Sequence, residues 1–336
     1  LLTGTTMTLT SSHWFLAWMG LEINTLAIIP LMCQHHHPRA VEATTKYFLI
    51  QAAAAAMILF ATTTNAWTTG QWDMYQLNNP ASNTIILIAL ALKMGIAPMH
   101  AWLPEVMQGL DLTTGLILST WQKIAPFTIL FQINPTNPDI MIILGVTSTL
   151  VGGWGGINQT QLRKMLAYSS IAHLGWMILV LQFYPTIALL TLILYIIMTT
   201  STFLLFKMNK STNINSLATS WTKNPTLTTM TPLILLSLGG LPPLTGFMPK
   251  WLILQELSKQ ELGAIATTAA LSALISLYFY LRISYTMTLT MSPNNLPGTT
   301  PWRMSNNQTS LMLTTTTSMS ILLLPLTPTM LTLINF

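Results

Sequence analysis

Residues 185–206, PTIALLTLILYIIMTTSTFLLF, run for 22 residues without an Asp, Glu, Lys or Arg and stop at Lys207. Wound as an α-helix, a segment of about 20 residues reaches across the roughly 30 Å hydrocarbon core of a bilayer. Working outward, comparable runs recur near 15–32, 46–67, 83–103, 112–133, 138–157, 164–183, 227–246, 262–290 and 310–334, which makes ten complete spans. Residues 1–10, LLTGTTMTLT, are equally apolar but too short to cross. With Leu1 in place of an initiator Met and no basic stretch of a signal peptide, they read as the end of a truncated eleventh helix. The reading is an all-α, polytopic membrane protein.

Composition agrees. Of 336 residues, 51% are hydrophobic and 6% charged, against roughly a quarter charged in soluble domains. Lipid solvates the outside of such a chain, whereas water would not, and disorder is excluded on the same ground. Threonine within the spans is compatible with lipid because its hydroxyl bonds back to the i−4 carbonyl. The one cysteine, Cys33, leaves no internal disulfide and no ligand set for an iron–sulfur cluster or structural zinc, so redox chemistry belongs to other chains. The net charge of +5 is scattered singly instead of gathered into a nucleic-acid face.

If the first ten residues count as one crossing, loops on one side hold Arg39, Lys46, Arg163, Lys164, Lys207, Lys210, Lys223 and Arg303, and loops on the other hold only Lys259. Eight against one satisfies the positive-inside rule and puts the N-terminus on the cation-rich side, the C-terminus opposite.

Other charges fall in or beside spans: Glu22 in WMGLEINTLAIIP, Lys93 in IALALKMGIAPMHAW, Lys123 in LSTWQKIAPF and Lys250 in LTGFMPKWLIL. A charge at a helix centre costs roughly 2.5–3.5 kcal/mol, so four of them call for partners or a use. Lys46 and Lys259, at span ends, snorkel. Near the buried lysines the sequence breaks helices, in KMGIAP, QKIAP and LGGLPPLTGFMPK, and interrupted helices at membrane depth mark ion sites in transporters. A buried lysine loses its proton readily when desolvated and holds it beside a carboxylate, which makes it a switchable proton site. Glu22, the one carboxylate well inside these spans, is the natural partner of Lys93.

The strings SSHWFLAWMGLEINTLAIIP, EATTKYFL, ALKMGIAPMHAWLPEV, TWQKIAPF, GGWGGINQTQLRKMLAYSSIAHLGWM and LLSLGGLPPLTGFMPKW closely resemble the subunit 2 family of mitochondrial NADH:ubiquinone oxidoreductase, respiratory complex I, over essentially the whole chain. The resemblance implies an antiporter-like, proton-translocating bundle of eleven helices with two inverted five-helix repeats, here 1–133 and 138–290, followed by a C-terminal helix at 310–334. It implies a proton relay in which Glu22 pairs with Lys93, Lys123 is central and Lys250 lies by the second broken helix. By the same resemblance His173 lies along the hydrated axis, and His100, after Pro98, is a further relay candidate. NADH, flavin, iron–sulfur clusters and ubiquinone are then used by partner subunits, and this chain binds no cofactor, metal or soluble substrate. The cation-rich side becomes the matrix and the C-terminus faces the intermembrane space of the inner mitochondrial membrane.

The run His35, His36, His37 lies in a short polar loop and points its rings in different directions, which disfavours a metal. Gly152, Gly153, Gly155 and Gly156 lack a complete G-x-G-x-x-G and suit close helix packing. Two other readings stand beside the first: a free-standing cation/proton antiporter, and a structural membrane spacer whose ion pairs serve assembly.

Overall fold

The computed structural model describes residues 1–34, 37–75, 77, 79–133, 138–222, 225–289 and 311–334; Lys223 and Arg303, used in the charge sorting, and His35 and His36 lie outside them. Among the described residues no strand forms. The first half holds α1 (Leu2–Thr10), α2 (Trp14–Met32), α3 (Pro38–Thr69), α4 (Pro80–Met94), α5 (Trp102–Gly109), α6 (Leu112–Ser119) and α7 (Trp121–Gln132). The second holds α8 (Pro138–Gly156), α9 (Leu162–Leu181), α10 (Pro185–Met208), α11 (Ile214–Ala218), α12 (Pro225–Gly239), α13 (Phe247–Lys259) and α14 (Gly263–Leu289). The chain closes with α15 (Leu311–Leu322) and α16 (Thr327–Ile334).

Helices α2, α3, α8, α9, α10 and α14 are each long and apolar enough to cross a membrane. The expected span 112–133 is instead built from the pair α6–α7; in 83–103 and 227–246 the helix stops at Met94 and Gly239, with α5 and α13 following after a break, and the last run bends by 71° between α15 and α16. The α12 helix stops at Gly239, earlier than its apolar run suggests, because Gly240 turns the backbone left-handed at φ 80°. Gly95, at φ 77°, ends α4 in the same way. In QKIAP the break falls at Thr120, while the helix runs on through Pro126.

Helices α9 and α10 run through the middle and are mostly buried; the helices around them expose Phe60, Trp67, Trp154 and Leu271, an apolar exterior suited to lipid. Where α8 meets α9, a Cβ on Gly152 would stand 2.6 Å from the Ala172 nitrogen, so the two backbones touch. Gly4 and Gly20 do the same for α1 and α2, each Cβ meeting the other's carbonyl within 3 Å. Most buried hydroxyls bond to the i−3 carbonyl instead of i−4, as in Thr191 to Ala188 and Ser201 to Met198, both 2.7 Å. Either bond hides the hydroxyl from lipid.

Two short backbone clasps tie loops at the ends of the bundle. Trp14 N donates to Trp72 O at 3.0 Å and Met74 N to Ser12 O at 3.0 Å, joining the α1–α2 turn to the α3–α4 loop. Leu162 N donates to Thr212 O at 3.1 Å and Ile214 N to Thr160 O at 3.2 Å, joining the α8–α9 turn to the loop after α10.

Candidate functional site

Each buried charge sits near the middle of its crossing. Glu22 is the ninth of nineteen residues of α2, Lys93 precedes the Gly95 break, Lys123 follows the Thr120 break and Lys250 opens α13 after the Gly240 break. Lys93 and Lys123 are 7% and 3% exposed, far below the usual state of lysine.

Glu22 and Lys93 share the same neighbourhood, and the carboxylate acts on the ammonium electrostatically, but they form no direct ion pair. Glu22 Oε2 and Lys93 Nζ are both buried without a hydrogen-bond partner among the described residues. A small cavity of about 20 Å³, room for about one water, lies beside Lys93 and is lined by Lys93, Lys123, Asn24, Tyr47, Gln51 and Gln122. Gln51 Nε2 donates to the Lys93 carbonyl at 3.3 Å and Gln122 Nε2 to the Asn24 carbonyl at 3.1 Å. This lining offers polar contacts where charges would otherwise meet hydrocarbon.

Lys123 opens on this cavity, and its Nζ donates to the Tyr195 hydroxyl at 3.1 Å. Tyr195, on α10, donates to the Ser119 carbonyl at 3.1 Å, and its ring lies 5.6 Å from that of His173 on α9. His173 lines a second, smaller cavity of about 10 Å³ together with Lys250, Thr191 and Trp176. Lys250 Nζ donates to the Gly239 carbonyl, left free at the end of α12, at 2.7 Å. Glu22, Lys93, Lys123, His173 and Lys250 therefore form one buried row running from α2 to α13. His100 stands apart from it: its Nδ1 lies 3.2 Å from the Pro98 carbonyl, and its ring faces Tyr168 at 6.4 Å.

Three side chains escaped the sequence reading. Tyr195 is uncharged and drew no notice in an apolar run. Glu256 falls outside the apolar runs but is 6% exposed on α13, paired with Lys259 at 2.6 Å. Arg282, inside the run 262–290, reaches the end of the bundle and donates to the Ile157 carbonyl at 2.8 Å. It joins Arg163, which donates to the Leu110 carbonyl, and Lys46, which pairs with Glu42 and Glu105 at 2.9 Å each. His37 caps α3 by accepting from Arg39 N at 3.2 Å.

The family described as NADH:quinone oxidoreductase/Mrp antiporter, transmembrane, matches residues 11–276, and the one described as NADH dehydrogenase subunit 2 C-terminus matches residues 277–331. The chain belongs to the NADH:quinone oxidoreductase/Mrp antiporter family. Its membership bears out the family resemblance read from the motifs, and the helical bundle bears out the fold class. This antiporter-family chain is 71% identical over 335 residues to the NADH-ubiquinone oxidoreductase chain 2 of Tetraodon nigroviridis, covering 100% of this chain and 96% of that one. It also resembles a chain of respiratory complex I from Thermus thermophilus, with a TM-score of 0.86 at 26% identity, over 98% of this chain and 77% of that one. A chain of the Mrp complex from Dietzia sp. shares the fold alone, with a TM-score of 0.74 at 18% identity over 83% of this chain and 57% of that one.

Proposed function

We propose that the chain is a core membrane subunit of respiratory complex I, through which electron transfer from NADH to ubiquinone is coupled to proton translocation across the inner mitochondrial membrane. The observation that carries this reading is the continuous row of buried ionisable groups, each beside a helix break or at mid-span. Glu22 and Lys93 form the input: when their coupling weakens, Lys93 releases its proton toward Lys123, and the charge passes by His173 to Lys250. The electron carriers and quinone chemistry belong to neighbouring subunits, and this chain holds no redox centre. Close kinship to a named oxidoreductase chain favours a subunit over a free-standing antiporter.

Two inverted halves, 1–133 and 138–290, with 310–334 as an appended C-terminal helix, complete the reading. It is supported by a plan that recurs: a glycine-seamed first pair, a clasp from its turn to the loop after the third crossing, and a broken fourth crossing at a left-handed glycine. Five crossings separate the two clasps, so they lie at opposite ends of the bundle. The cation-rich end is the matrix face.

The test is Lys93→Met in the whole complex. Methionine keeps the stem and removes the charge, so the proton step slows by roughly 100-fold or more, the usual worth of a positioned acid or base. An assembled complex that moves protons normally per NADH oxidised overturns the proposal.

A further inference from the structure

Lys123 has two places to go. It lines the cavity it shares with Lys93, and its ammonium rests on Tyr195, 3.1 Å from the hydroxyl and 5.0 Å from the centre of the same ring. Among the described residues that hydroxyl is the ammonium's one hydrogen-bond partner. Tyr195 in turn is 1% exposed and is anchored in two ways: its O–H points to the Ser119 carbonyl at the last turn of α6, and its ring rests on His173. The hydrogen-bond chain that starts on Lys123 therefore ends on an amide carbonyl, which does not take up and pass on a proton near neutral pH.

We propose that Tyr195 is a latch. It holds the Lys123 ammonium on the His173 side of the row and stops the chain of hydrogen bonds there, so that Lys123 cannot face Lys93 and Lys250 at once. Transport then requires the Lys123–Tyr195 bond to break in each cycle, with the four-carbon stem of lysine supplying the swing back to the cavity. Tyr195 is a positioning residue: it stays protonated, and the moving proton is the one carried on the Lys123 nitrogen. Its placement on α10 against Lys123 on α7 and Ser119 on α6 ties the second part of the chain to the first. This inference rests on the proposed proton row.

Tyr195→Phe removes the hydroxyl and keeps the ring on His173. A hydrogen bond to a charged group contributes enough to shift the latched-to-free ratio by roughly tenfold. In the purified complex reconstituted in vesicles, the expected result is a passive proton leak raised about tenfold and fewer protons moved per NADH oxidised. That ratio and leak, normalised to assembled complex, do not respond to a purely structural loss, which lowers the amount of complex and leaves both unchanged. A variant with wild-type ratio and leak overturns the latch. Should Tyr195→Phe fail to assemble, Tyr195→His keeps a polar ring too short to reach Ser119, and the same two readings decide. Lys123→Met run in parallel separates the two ideas. If it stops transport while Tyr195→Phe changes nothing, only the latch falls; if it leaves transport normal, the proton row itself is wrong.

Discussion

At Gly240 one missing methyl keeps two requirements compatible. The backbone is left-handed there, and a Cβ would stand 2.9 Å from Lys250 Cδ and 3.0 Å from its Nζ. Gly240→Ala therefore carries a conformational cost of about 1–2 kcal/mol and also pushes the ammonium off the Gly239 carbonyl. The expected outcome is a complex that assembles in reduced amount and whose proton transport per NADH falls toward that of Lys250→Ala. Gly263→Ala, where nothing lies within 4 Å, is the control and leaves the ratio unchanged. Equal ratios in the two variants would show that Lys250 has no need of its present position. Residues of this kind were legible to different degrees. Glu22, Lys93, Lys123 and Lys250 stood out because a charge in an apolar run is conspicuous and expensive. Tyr195 did not, because a phenol is inexpensive in such a run and only its neighbours on α6, α7 and α9 give it a task. Whether Glu22 touches Lys93 was also beyond the sequence, which fixes depth along each helix but not its rotation.

At the scale of elements, the apolar helical runs could be read and their interruptions only in part. Proline and glycine announce a break, and they located those at Gly95 and Gly240. The break at Thr120 has a different cause: Leu116 O accepts from the Thr120 nitrogen at 3.0 Å, from the Thr120 hydroxyl at 2.8 Å and from the Ser119 hydroxyl at 3.0 Å. Three donors on one carbonyl draw the turn out of regular register, a competition between side chain and backbone that no proline signals. The glycine cluster, read as a packing device, behaves as one: Gly152 meets the Ala172 backbone, and Gly156 meets Phe279 of α14. Gly152→Val forces α8 and α9 apart against backbone that cannot yield, at a cost of about 1–3 kcal/mol or more. Native gel electrophoresis should show loss of assembled complex, with the surviving fraction keeping its normal protons-per-NADH ratio. A normal amount of complex would mean that the α8–α9 contact is looser than its geometry implies.

At the scale of the molecule, charge placement and chain path make one statement. Arg39, whose carbonyl lies against Gly109, and Lys46, Arg163 and Arg282 gather at one end of the bundle through contacts to Glu105, Leu110 and Ile157, although they come from three separate helices, α3, α9 and α14. On the crossing count proposed above, an odd number of crossings separates the two clasps and puts them at opposite ends. The inverted halves proposed above would bring the broken helices α4–α5 and α12–α13 to the same central layer from opposite directions, so that a single row of lysines spans both. The proposed arrangement assigns each end a side of the membrane, and sidedness is measurable. With Cys33→Ser removing the one native thiol, single cysteines are placed at Lys210 and Glu261, both exposed, at the cation-rich end and at the end where α13 finishes. A membrane-impermeant thiol reagent should label Lys210→Cys in inverted inner-membrane vesicles and not in mitoplasts, and Glu261→Cys in mitoplasts and not in inverted vesicles. Labelling of both from one side would break the crossing count, and with it the inversion on which the row of lysines depends.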